Sequence, residues 1–291
     1  MRIHTITQKQ VAAFLQPRPR DSHKGQFGTV AVIGGASGMV GAALLAGRAA
    51  LKLGAGCVHV GLLADNAPVV DIVQPELMLH SAHDALWILP HPSPLPEGEG
   101  VVSVLAVGCG MGTSISAQKI LHEILGRNIP LVLDADALNL LARHTDLQDD
   151  LRARKARTII TPHPGEAARL LGLSTAEVQA ARTRSAQQLA QKLHCSVVLK
   201  GAGSVCVTRD GKTYLNKTGN PGMSAPGMGD VLAGMIAAFI AQGLDADQAL
   251  LLAVHLHGAA GDALAQQGIS VGMTASDVTE WARWLLNQWK K

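Results

Sequence analysis

The chain has 291 residues, 47% of them apolar, 16% charged and 3% aromatic, a balance that excludes a disordered chain and supports a large core of Ala, Val, Leu and Ile. Its 25 basic residues barely outnumber its 22 acidic ones and, apart from residues 18–24 and 152–157, they are scattered, so no nucleic-acid surface is expected. No apolar run reaches the roughly eighteen residues of a membrane span, and residues 1–15 lack a signal-like apolar core, so a cytoplasmic protein with no membrane partner is expected. Cys57, Cys109, Cys195 and Cys206 lie far apart with no CxxC pair, which points to buried, reduced thiols rather than a zinc site or disulfides.

In chain order, the first clear element is a β-rich apolar run at residues 29–33 that closes on Gly34-Gly35 and leads into a small-residue helix at 40–53. Further apolar runs at 57–63, 101–107, 130–133, 158–160, 196–199 and 205–208 alternate with helical or turn-rich sequence. This alternation predicts an α/β fold with a mostly parallel sheet and ligands gathered at the carboxyl ends of its strands. Residues 91–100 interleave prolines with serine and glycine and predict an exposed loop or insertion. After Tyr214 a glycine-rich loop precedes helices at about 230–242, 246–267 and 275–290. The last of these carries Trp281, Trp284, Leu285 and Trp289 at helical spacing, a packing face or a subunit contact. No repeat or compositional break divides the chain, so one domain over residues 1–291 is expected.

The strongest chemical signal is Gly219-Asn-Pro-Gly-Met-Ser-Ala-Pro-Gly-Met-Gly-Asp230, which runs into an apolar helix. Free N–H groups at Gly227, Met228 and Gly229 can converge on a phosphate there, aided by the helix dipole. Asp230 is either a general base beside that anion or simply the helix cap. Thr161-Pro-His-Pro-Gly-Glu166 follows a strand, and its two prolines are expected to expose His163 and Glu166. Lys200-Gly-Ala-Gly-Ser204 reads locally as a hairpin turn, and Gly108-Cys-Gly-Met-Gly112 as a close backbone approach without the dinucleotide fingerprint. Asp134 and Asp136 suit a magnesium–water network or a substrate contact, with Asn139 beginning a helix and capping as the alternative. His255 and His257, two apart on a helix, make a poor metal pair and are expected to be structural.

Gly227-Met228-Gly229-Asp230 resembles the signature loop of the ribokinase-like superfamily. Residues 161–166 and 200–204, with His23-Lys24-Gly25, Gly34-Gly35-Ala36-Ser37, Gly41-Ala42 and residues 134–139, resemble the ADP-dependent NAD(P)H-hydrate dehydratases in particular. The likeness runs from about residue 23 to the last helix. It implies a ribokinase-like fold, ADP as phosphoryl donor with ATP as the alternative, Mg2+, and an adenine nucleotide lined by Lys200, Gly201, Ala202, Gly203, Ser204 and Gly229. It places the hydrated nicotinamide (NADHX or NADPHX) on Ala42, Gly110, Gly112, His163 and Asp230, with Asp230 catalytic and the N–H groups of Gly227, Met228 and Gly229 as the anion hole. No residue is assigned as a metal ligand, and the resemblance together with the tryptophan-bearing helix suggests a homotetramer. The rivals are an ATP-dependent kinase of a vitamin-precursor alcohol and a nucleotide-binding regulator without turnover. One departure from the family's pattern is Ser224-Ala225-Pro226, where Pro226 removes a backbone donor just before the anion loop.

Overall fold

A computed structural model describes residues 3–87 and 102–289. Ten strands form one sheet: β1 (Ile3–Thr5), β2 (Thr29–Gly34), β3 (Cys57–Leu62), β4 (Met78–Ser81), β5 (Val104–Val107), β6 (Leu131–Leu133), β7 (Thr158–Ile160), β8 (Ser196–Leu199), β9 (Val205–Val207) and β10 (Thr213–Leu215). Their order is β1-β10-β9-β8-β7-β6-β5-β2-β3-β4. Every pairing is parallel except those of β9 with β8 and β10, so β9 alone runs against the rest.

The parallel strands read as continuous apolar runs because both faces are covered. In β2, Val30 and Val32 enter one core while Ala31 and Ile33 enter the other, and in β5 Val104 and Ala106 alternate in the same way with Leu105 and Val107. One core is closed by helices Val40–Lys52, Met228–Ala241, Ala246–Gln266 and Ala275–Trp289. The other lies under helices Ile115–Leu125, Asp136–Arg143, Thr145–Ala153, Pro164–Leu171 and Arg182–Leu193. Helices 40–52 and 228–241 touch backbone to backbone, since a Cβ on Gly234 would stand 2.1 Å from the Ala46 carbonyl oxygen.

The run at 205–208 returns as β9, the second arm of the hairpin that the local sequence suggests at 200–204. Several expectations are corrected. Cys57 is only half-buried, although Cys109, Cys195 and Cys206 are buried as expected, and all four are free thiols. The tryptophan helix packs Trp281, Leu285 and Trp289 on the core and leaves Trp284 exposed. The loop expected at 91–100, with residue 101, lies outside the described residues. Among those described, no helix is long and apolar enough to cross a membrane.

The chain moves from β4 at one edge back to β5 beside β2, so strand order reverses between β2 and β5. That switch point opens a crevice at the carboxyl ends of the strands. Gly34-Gly35, residues 108–112, Asp134 to Asp136, residues 161–166 and residues 200–204 all leave strands β2, β5, β6, β7 and β8 on this side.

Candidate active site

The helix Met228–Ala241 aims its N-terminus into the crevice. Its cap is Gly227, whose φ of 86° is left-handed, and a Cβ there would lie 2.5 Å from Leu45 Cδ1. Only glycine combines that conformation with that approach. No side chain caps the helix, so the first N–H groups face outward. Asp230 is the third helical residue rather than the cap, which removes the capping alternative and leaves its carboxylate beside the helix's positive end.

Around Asp230 the structure gathers groups from three other strand ends. A carboxylate oxygen of Asp230, one of Asp134 and the Cys109 sulfur all lie within 4.8 Å of one another. Burial, then the Asp134 charge, push Asp230 up from 3.8 to about 6, opposed by the neighbouring Cys109 thiol and by the Lys200 charge. Lys200 Nζ donates to Asp134 at 2.5 Å, and the Asp134 side chain is only 2% exposed. Burial works against the Lys200 charge, but Asp134 and then Glu166 outweigh it, so its pKa is raised. Gly229 completes the cluster: a Cβ on it would meet Lys200 Nζ at 3.0 Å and Asp134 Oδ2 at 3.2 Å.

Lys200 opens the β8–β9 turn, and Arg182 holds that turn by donating to the carbonyls of Leu199, Lys200 and Gly203 at 3.1–3.3 Å. The turn is thus both the hairpin that local sequence suggests and one wall of a cavity of about 510 Å³. Lys200, Gly201, Ala202, Ser204, Met228 and Gly229 line this cavity, while Gly203 does not. Its opposite wall includes Asn216, Thr218, Met223 and His257. This size is typical of a small-ligand pocket.

On the β2–β5 side, Gly110 packs against the start of helix Val40–Lys52, where a Cβ would stand 3.0 Å from that of Ala42. The Gly112 N–H donates to Asp136 Oδ2 at 2.8 Å, and Asn139 donates to the other oxygen at 3.1 Å. Asp136 therefore fixes the glycine loop. The helix expected to begin at Asn139 starts earlier, at Asp136.

His163 caps helix Pro164–Leu171, its Nδ1 accepting from the N–H groups of Gly165 and Glu166 at 3.0 and 3.4 Å. Glu166, expected to be exposed, is buried at 4%, because it reaches back to accept from the His163 N–H at 2.7 Å. Burial raises it from 4.5 to about 7. Burial, then Lys200, lower His163, so its ring is neutral at pH 7.

Two further groups lie in the site although the sequence did not place them there. Cys109, expected to be an inert thiol, sits in the acidic cluster. His257, expected to be structural, lines the cavity together with Met228, and its Nε2 is buried without a hydrogen-bond partner. Burial, then Lys200, lower it to about 4.

The Cys109–Asp134–Asp230 trio is the one close set of three or more potential metal donors among the described residues. It does not suit magnesium, which demands hard oxygen ligands: burial, then Asp230, raise the thiol's pKa well above normal, and Asp134 is already paired with Lys200.

A parallel sheet whose helix N-terminus, aspartate and cavity meet at the switch point defines the ribokinase-like class. The fold matches a ribokinase-like superfamily protein from Enterococcus faecalis with a TM-score of 0.82 at 26% identity, covering 99% of this chain and 97% of that one. Within that class, the sequence model of the NAD(P)H-hydrate dehydratase family matches residues 30–283, and the chain belongs to this family. It is 41% identical over 275 residues to the ADP-dependent (S)-NAD(P)H-hydrate dehydratase of Neisseria meningitidis, covering 93% of this chain and 89% of the relative. It also matches the ADP/ATP-dependent NAD(P)H-hydrate dehydratase of Bacillus subtilis, co-crystallised with ATP/Mg2+, with a TM-score of 0.86, 31% identity and 99% of each chain covered.

Proposed function

We propose that this protein dehydrates the S epimer of hydrated NADH or NADPH in the crevice, using ADP as phosphoryl donor and yielding the reduced dinucleotide, AMP and phosphate. The observation that carries this reading is a half-buried carboxylate of pKa about 6 on the first turn of an uncapped helix beside the cavity. A group so poised is ionised at neutral pH yet basic enough to take a hydroxyl proton.

The adenine nucleotide occupies the cavity between the 200–204 turn and His257, with its terminal phosphate at the helix N-terminus. The hydrated nicotinamide lies toward Ala42, Gly110, Gly112 and His163, so its C6 hydroxyl meets Asp230. Asp230 accepts the hydroxyl proton as the oxygen bonds to the terminal phosphorus and the bond from that phosphorus to AMP breaks. The N–H groups of Gly227, Met228 and Gly229, with the Lys200 ammonium, stabilise the charge on the equatorial oxygens. The C6–O bond then breaks, phosphate leaves with the bonding pair, the ring nitrogen supplies electrons, and loss of the C5 proton restores the double bond. Phosphorylation thereby replaces hydroxide with a far better leaving group. Magnesium would travel with the nucleotide's phosphates rather than in a cage of this trio. A cytoplasmic homotetramer suits this role, and exposed Trp284 offers an aromatic group for a subunit contact.

The test is Asp230→Asn. Turnover is lost while ADP binding, followed by calorimetry, stays within a few-fold of the parent; a variant with substantial turnover overturns the base assignment.

A further inference from the structure

The wall of the cavity that faces the 200–204 turn is built by residues 216–224, of which Asn216, Thr218, Gly219, Asn220 and Met223 line the space. Apart from one short helical turn, Pro221–Met223, this segment has no regular structure of its own, so its place is set by what it leans on. It leans on one face of helix Ala246–Gln266. Two glycines of that helix let it settle closely: a Cβ on Gly258 would stand 2.3 Å from Thr218 Oγ1, and one on Gly261 would stand 2.3 Å from Met223 Sδ. Thr218 Oγ1 donates to the His255 carbonyl at 3.0 Å. Beyond it Asp262 forms a clasp, its Oδ2 accepting from the Gly219 N–H at 2.9 Å and its Oδ1 from Asn220 Nδ2 at 3.1 Å. Asn220 is thereby held at both ends of its amide, since its Oδ1 accepts from the Gly222 N–H at 3.0 Å.

We propose that Asp262 is a positioning residue for the donor nucleotide: by clasping Gly219 and Asn220 it fixes the wall against which the nucleotide packs, and so sets nucleotide affinity without touching the ligand. Asp262 itself does not line the cavity, whereas both of its partners do. Hydrogen bonds to a carboxylate are stronger than those between neutral groups, which suits them to holding an otherwise irregular segment. Each oxygen has a donor, so the negative charge is met before an anionic ligand arrives. The clasped segment ends at Met223, short of the helix cap Gly227, which has its own seat against Leu45 and Ala275. The wall can therefore loosen while Asp230 and the anion hole stay in place. Arg182 plays the matching part on the other side, where it holds the 200–204 turn through backbone carbonyls.

This inference rests on the cavity being the ADP site, and the experiment separates the two. Asp262→Ala and Asp262→Asn are compared with the parent by calorimetric titration with ADP and by steady-state kinetics. Losing both bonds lowers the share of molecules whose wall is in its binding form, so Kd and KM for ADP rise roughly tenfold in Asp262→Ala. Asparagine keeps the shape and one acceptor oxygen, so Asp262→Asn shows a smaller rise of about threefold. In both variants kcat stays within about twofold of the parent and the KM for the hydrate is unchanged, a split that general loosening of the fold does not give. ADP affinity equal to the parent's in the folded variants overturns the inference, as does a fall in kcat or a rise in the hydrate's KM as large as the change for ADP. If Asp262→Ala does not fold, Asp262→Asn decides on the same terms. A parent that binds no ADP overturns the reading beneath the inference instead.

Discussion

Asp230→Asn is expected to stabilise the protein while silencing it. The carboxyl is held at about 6 against an ordinary 3.8. An acid shifted upward prefers its protonated form in the folded state, so its ionisation destabilises the fold progressively as pH rises through that interval. The difference is complete above the folded value and absent below the unfolded one. At about 1.4 kcal/mol per unit, the shift corresponds to about 3 kcal/mol at pH 7.5. Asparagine keeps the shape without the charge and recovers most of it, which for 291 residues is a rise in melting temperature of roughly 5 °C. Thermal melts of parent and variant across pH 4 to 8 check this. The gap should be widest at pH 7.5 and close as pH falls toward 4. A variant less stable than the parent at pH 7.5, or a gap independent of pH, refutes the claim that Asp230 is held charged against its environment.

Two further variants probe the walls of the crevice. Lys200→Met strands the buried Asp134 carboxylate and should cost about 3 kcal/mol at neutral pH, with weaker ADP binding; adding Asp134→Asn should restore stability but not ADP affinity, as read by denaturation and titration. His163→Ala loses the cap to Gly165 and Glu166 and should cost about 1 kcal/mol. His163→Asn should recover the stability yet leave the KM for the hydrate raised, whereas recovery of both would show that the histidine only caps the helix.

The central strands were legible because burial on both faces makes β2, β3 and β5 to β8 mostly apolar. β1, β4 and β10 were not: they are three or four residues long and polar in part, and β1 and β4 are the edge strands of the sheet. The antiparallel return of β9 was legible in the glycine turn at 200–204, which reads locally as a hairpin. The anion loop was legible because its glycines, aspartate and following helix are contiguous. Glu166 was misjudged because its partner is a histidine cap, an uncommon stand-in for Ser, Thr or Asp. Cys109 and His257 carried no local signal at all. Their places, in the acidic cluster and on the cavity wall, exist only once β5 and the two late helices are packed together.

The central claim is tested most directly by mixing the purified protein with magnesium, ADP and chemically hydrated NADH and following dihydronicotinamide absorbance together with AMP and phosphate. The account predicts recovery of NADH from the S epimer, with one AMP and one phosphate released per molecule restored. With substrate and protein intact, no recovery, or recovery without nucleotide consumption, would contradict it.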